Sequence, residues 1–185
     1  MVVEYLDDSV IKKRANELID KYTSGSITDI EGIATQKLGL KIRFIDLQSC
    51  YGNGTLGMIL PEDKMILCDK SLEPYGKYKE INEHILRFTI AHEIGHYTLH
   101  LKYMGDSGSP FFHRNLKNHE QKRLETQANI LAAELLMPEA EFRKVYIHTF
   151  YNEKIRPTYD IKGSLSNKFN VSKEAVGYRI QALNL

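Results

Sequence analysis

An α+β fold follows from three features of the 185-residue sequence: a helical period up to Leu38, strand-like alternation between Lys41 and Lys70, and a renewed helical period after Pro74. The first segment, SVIKKRANELIDKY, places Val10, Ile11, Leu18 and Ile19 near one stripe and predicts an amphipathic helix between Asp8 and Tyr22. Thr28 or Asp29 can cap a second short helix that runs through Leu38 and ends at Gly39, a residue tolerant of the left-handed conformation. KIRFIDL then alternates Ile42 and Phe44 with Lys41 and Arg43, and GTLGMIL and KMILCDK follow across a turn at Pro61, so a small antiparallel sheet is expected. Beyond Pro74, Ile81, Ile85, Phe88, Ala91 or His92, Gly95 and Leu99 recur every three or four residues and predict a long helix to about His100. The stretch from Gly105 to Pro110 breaks it and opens a connection that reads equally as a plain link or as a lid. A further helix is expected from near Asn118 to Met137, stopped by Pro138. EAEFRKVYIHTFY, a polar linker containing Pro157, and two short helices about a Val171-Ser172 turn complete the chain. The expected division is residues 1–140 as one domain and 141–185 as a helical extension packed on it.

Size and composition limit the function classes. A chain of this length buries on the order of 70% of its unfolded surface, so its core needs no structural metal or disulfide, and a metal site here reads as functional. Lys and Arg number 25 against 24 Asp and Glu, a net +1 that argues against a surface built for nucleic acid or anionic lipid. The start, MVVEYLDDSV, carries Glu4, Asp7 and Asp8 where a signal peptide needs basic residues, and no apolar run approaches a membrane span; a cytoplasmic location is expected. Cys50 and Cys68 form no CxxC arrangement and read as buried free thiols.

The long helix carries His92-Glu93-Ile94-Gly95-His96, an H-E-x-x-H pattern. Four residues of α-helix turn through about 400°, so the two imidazoles share a face one turn apart and can hold one metal ion between them. Glu93 lies beside them, suited to take a proton from an attacking water and pass it to a leaving group. Ile90, Ala91, Ile94 and Leu99 make this helix apolar nearly all round, and in such a helix the polar trio needs partners.

Hydrolytic zinc sites take three protein ligands, so a third is required. His100 is about 12 Å of helix rise from His92, too far for all three histidines to meet one ion. The longer pattern H-E-x-x-H-x-x-G-x-x-H fails, because Leu99 and Lys102 stand where Gly and His are needed. Glu125 is the preferred candidate: it follows His96 by 29 residues, lies on another helix, and shares a stripe with Ala128, Ala132 and Leu135. His113, His119 and Glu120 are alternatives, the last two within a polar run, KNHEQKR, that reads as a solvated helix start. Glu134, about half a turn round from Glu125, is expected to face away. Asn129, one turn after Glu125, can orient a ligand or simply pack.

HEIGHYTLH followed by ETQANILAAELLMP, with a small sheet before them, resembles the ImmA/IrrE family of metallopeptidases over about residues 27–140. The resemblance implies a minimal gluzincin-like core with His92, His96 and Glu125 as ligands of one Zn2+ per chain and Glu93 as the catalytic base, Mn2+ remaining an alternative metal. It also implies a cytoplasmic peptidase that cleaves a separately encoded helix-turn-helix (Xre-like) repressor and so derepresses mobile-element, stress or toxin-antitoxin genes. Tyr97, Tyr103 and His113 are candidates to stabilise an oxyanion.

Two rival functions stand beside this one. The tail LSNKFNVSKEAVGYRIQAL has a helix-turn-helix rhythm with Lys162, Lys168, Lys173 and Arg179 against Glu174, but Leu165, Phe169, Val171, Val176, Ile180 and Leu183 account for most of its pattern, favouring a core or partner-docking role over DNA binding. The other is a non-catalytic metal protein that sequesters a regulator; the presence of Glu93 beside the histidines weighs against it.

Overall fold

A computed structural model describes residues 3–73, 79–104, 118–153 and 160–185. Helix α1 (Asp8–Ile19) is capped by Asp7, whose carboxylate accepts the Ser9 amide, and buries Ile11, Ala15 and Leu18. Val10, expected on that stripe, is exposed. A two-residue ribbon, β1 (Thr23–Ser24) and β2 (Ile27–Thr28), leads to α2 (Ile30–Gly32), capped by Asp29 and continued as a π-turn over Ile33–Lys37. Gly39, at φ +67°, releases the chain into the sheet.

The main sheet is formed by β3 (Lys41–Ile45), β4 (Gly57–Leu60) and β5 (Met65–Asp69) in the order β3-β5-β4. It is mixed rather than wholly antiparallel: β4 pairs antiparallel to β5, from Gly57↔Cys68 to Leu60↔Met65, while β3 pairs parallel to β5, from Lys41↔Met65 to Ile45↔Asp69. The reason is the number of reversals. Helix α3 (Leu47–Tyr51) turns the chain once between β3 and β4, the Pro61 turn reverses it again, and β5 regains the direction of β3. Strand β4 is left as an edge. Of the two thiols, Cys68 is buried in β5, which pushes its pKa up to about 12, whereas Cys50 on α3 is exposed, contrary to expectation.

Helix α4 (Lys79–His100) crosses the sheet and packs on α5 (Asn118–Leu136). Only part of the apolar stripe of the sequence faces inward: Ala91 and Gly95 are buried and Ile85 and Leu99 are half-buried against the core, but Ile81 and Phe88 are exposed, at 59% and 39%. The buried side also comprises Leu86, Thr89, Ile90, Glu93, Ile94, His96 and His100. The stripe rule selects apolar residues, and here polar side chains occupy inward positions. Helices α6 (Glu139–Glu153), α7 (Ile161–Phe169) and α8 (Lys173–Ala182) follow. The Gly105–Pro110 connection, His113 and the Pro157 linker lie outside the described residues.

One buried cluster contains Ile11, Ile33, Ile66, Ile90 and Leu131 together with Phe142, Leu165, Phe169, Val176 and Leu183. Asn170, left-handed at φ +52°, ends α7 and ties the α7–α8 turn to α4: its side chain accepts from His84 Nε2 (2.9 Å) and donates to Glu83 (2.6 Å), and Arg87 donates to its carbonyl. From the other side Glu134 of α5 pairs with Arg179 of α8 at 2.7 Å, both side chains buried.

Candidate metal centre

The close crossing of α4 and α5 sets the site. A Cβ on Gly95 would come within 2.9 Å of the Ala128 Cα and carbonyl oxygen, so only glycine permits this approach. Gly95 stands one residue before His96 and three after His92; Ala128 stands three after Glu125 and one before Asn129. Contact of the two small residues therefore brings both histidines against Glu125 and Asn129.

The ligand atoms converge. His92 Nε2 and His96 Nε2 are 2.9 Å apart, and Glu125 reaches them with Oε2 at 3.2 Å and Oε1 at 3.4 Å. Ligands about 2.0–2.1 Å from a tetrahedral ion stand about 3.3 Å from one another, so these edges and this set of two imidazoles and one carboxylate fit a divalent metal. All three ligand atoms lie within 4.8 Å of one another, and among the described residues no other such group occurs. Burial pushes the Glu125 carboxyl up, but the two imidazoles beside it outweigh burial and hold the group well below the usual carboxylate range. Burial lowers the proton affinity of His92, yet the Glu125 hydrogen bond and the charge of Glu93 leave its pKa raised. A metal ion must displace that proton, which makes its binding pH-dependent.

The outer ring nitrogens are also held. His92 Nδ1 donates to Asn129 Oδ1 at 2.9 Å, leaving Nε2 for the metal. His96 Nδ1 lies 3.1 Å from Nδ1 of the fully buried His100, whose Nε2 meets Gln127 Oε1 at 2.9 Å. His100 thus stands behind His96 and outside the group of converging atoms. Gln127 was not legible as a site residue, although its place two residues after Glu125 on the buried side was a usable signal.

Glu93 is 7% exposed, and burial raises its pKa more than the two imidazoles lower it. It accepts the backbone N–H of Ile59 in β4. Gly57 makes room for it, since a Cβ there would meet Glu93 Oε1 at 3.0 Å. The remaining candidates fall elsewhere. His119 is exposed and outside the cluster; Glu120 is buried rather than solvated, because it continues the inward series Leu124, Ala128 and Leu131 by one turn. Glu134 faces away from Glu125, engaged with Arg179. The Tyr103 hydroxyl accepts the Glu4 amide at 2.9 Å, and Tyr97 is half-buried against the main core.

An H-E-x-x-H helix crossed by a glutamate-bearing helix, beside an edge strand, defines a metallopeptidase type of centre. The family model of the IrrE N-terminal-like domain, peptidase M78, matches residues 35–181, and the chain belongs to this metallopeptidase family. Among curated proteins none matches the sequence. No helix among the described residues is long and apolar enough to cross a membrane.

Proposed function

We propose that this chain is a zinc-dependent endopeptidase that cleaves a separately encoded helix-turn-helix repressor and thereby derepresses the genes it silences. The observation that carries the reading is the seat of Glu93: a buried carboxylate with a raised pKa, held between edge strand β4 and three convergent ligand atoms. A site that only bound metal has no use for such a base. His92, His96 and Glu125 would hold the ion, which when bound supplies Lewis acidity toward a carbonyl oxygen and toward water. Glu93 accepts the proton of the attacking water and delivers it to the departing amide nitrogen, a task that its raised proton affinity suits. Strand β4 borders α4 and lies at the sheet edge, so an extended stretch of substrate can pair with it through backbone hydrogen bonds. That mode favours a protein segment over a small molecule; the repressor itself rests on the family resemblance.

The C-terminal helices belong to the core in this reading. Two of the basic groups that gave the tail its DNA-like charge are engaged, Arg179 with Glu134 and Lys173 with Asp160 at 2.5 Å. The test incubates zinc-loaded protein with the helix-turn-helix regulators encoded nearest to it and reads the products by mass spectrometry. Discrete fragments are expected, with the Glu93→Gln variant retaining zinc stoichiometry but losing about 10²–10⁴-fold in rate. Stable complex formation with no cleavage would replace the peptidase reading with sequestration, and full activity of the variant would remove Glu93 from the base role.

A further inference from the structure

Behind His96 a chain of hydrogen bonds runs through the protein to the N-terminal segment. His96 Nδ1 meets His100 Nδ1 at 3.1 Å, His100 Nε2 meets Gln127 Oε1 at 2.9 Å, and Gln127 Nε2 donates to the backbone carbonyl of Glu4 at 3.1 Å. His96, His100 and Gln127 are 4%, 0% and 3% exposed, so water does not substitute freely for a lost link. Glu4 is itself fixed: its amide donates to the Tyr103 hydroxyl, Arg123 donates to the neighbouring Val3 carbonyl at 2.7 Å, and Val3 is buried with Tyr103 and Leu124.

The polarity of this chain is set from its far end. A backbone carbonyl can only accept, so the Gln127 amide nitrogen must face Glu4 and its oxygen must face His100. His100 Nε2 then carries the proton, which leaves Nδ1 as an acceptor. His96 must donate from Nδ1, and its Nε2 is left with the lone pair that a metal requires. The reverse polarity would set the Gln127 oxygen against the Glu4 carbonyl oxygen and place a proton on the ligating nitrogen of His96.

We propose that the Glu4 carbonyl, acting through Gln127 and His100, locks His96 in the tautomer that binds metal, which makes His100 and Gln127 positioning residues. The inference rests on the metal-site reading and extends it through His100 and Gln127 to Glu4, which precedes the family match beginning at residue 35. Among the described residues His92 has no comparable relay; its outer nitrogen meets the exposed side chain of Asn129.

The test uses the full-length chain labelled with 15N, metal-free and zinc-loaded. Imidazole NMR is expected to place a proton on His96 Nδ1 in both states, with a through-hydrogen-bond coupling between this nitrogen and His100 Nδ1. In His100→Phe and Gln127→Leu the metal-free His96 resonance shifts toward the opposite tautomer, and calorimetry shows zinc affinity reduced by about 10–100-fold. A merely structural role would lower the unfolding temperature without moving the tautomer. A proton on His96 Nε2 in the metal-free wild type would overturn the proposal without any variant, as would unchanged zinc affinity in a folded Gln127→Leu protein. Absence of zinc binding by the wild type would instead overturn the metal-site reading, because the tautomer is read without metal.

Discussion

Of the three buried or half-buried glutamates on helix α5, Glu134 and Glu125 end in opposite kinds of site. Glu134 meets Arg179, a permanent cation, at 2.7 Å, while Arg179 Nε donates to the Met137 carbonyl and the Glu139 amide reaches the other Glu134 oxygen. The chain supplies both signs of charge, and the pair is closed. Glu125, nine residues earlier, meets two imidazoles whose nitrogens hold either a proton or a lone pair. That set can exchange its protons for a metal ion. The difference teaches that burial of a glutamate does not by itself mark chemistry; the partner decides, because guanidinium cannot give up its charge and imidazole can.

Breaking the closed site produces the largest change in stability. Arg179→Met leaves the Glu134 carboxylate buried without its cation, and we expect a loss of about 3–5 kcal/mol, a fall in melting temperature on the order of 10 °C, with zinc affinity unchanged. If calorimetry showed the metal weakened as strongly, the two sites would be coupled and the comparison would fail. Gly95→Ala acts on the open site through its frame: the new methyl strikes Ala128 backbone, which cannot swing aside as a flexible side chain can. A cost of about 1–3 kcal/mol is expected, with weaker zinc binding as the helices part. A stable variant with unaltered affinity would show that the crossing does not set the ligand geometry.

Asn129→Ala separates function from stability more cleanly. Its side chain is exposed, so the melting temperature should hardly move, while loss of the acceptor for His92 Nδ1 lowers zinc affinity by about 10–100-fold in a titration. The smallest effect belongs to a second closed cluster. Asp69 is buried in β5 and accepts hydrogen bonds from Ser71 and Gln48, which outweigh its burial and hold its pKa at about 2 against 3.8. Its contribution is complete above the unfolded value and is lost as pH falls through the folded one. Between pH 4 and 2 the stability difference between wild type and Asp69→Asn should therefore shrink by on the order of 1–2 kcal/mol in denaturant titrations. A difference independent of pH would mean that the carboxylate charge is not what holds the cluster together.

Linear order settled the local features of this protein. The i, i+4 spacing of His92 and His96 puts them on one face in any α-helix, Gly39 and Pro138 stop helices by backbone sterics alone, and Asp7, Asp29 and Ser172 cap them through side chains within three residues. Glu125 was legible as a candidate ligand because a carboxylate among core-facing alanines requires a cation. Packing decided what depends on contacts far apart in the chain. The parallel pairing of β3 with β5, the inward turn of Glu93 away from the Ile81–Phe88 stripe, and the burial of Glu120 all follow from which surfaces meet. Periodicity records only polarity, and a polar residue that is buried because its partner lies elsewhere looks solvated. The line from His96 through His100 and Gln127 to Glu4 shows this most plainly: hydrogen-bond polarity passes between groups up to 123 positions apart, and that distance closes only when α4, α5 and the N-terminal segment are packed together.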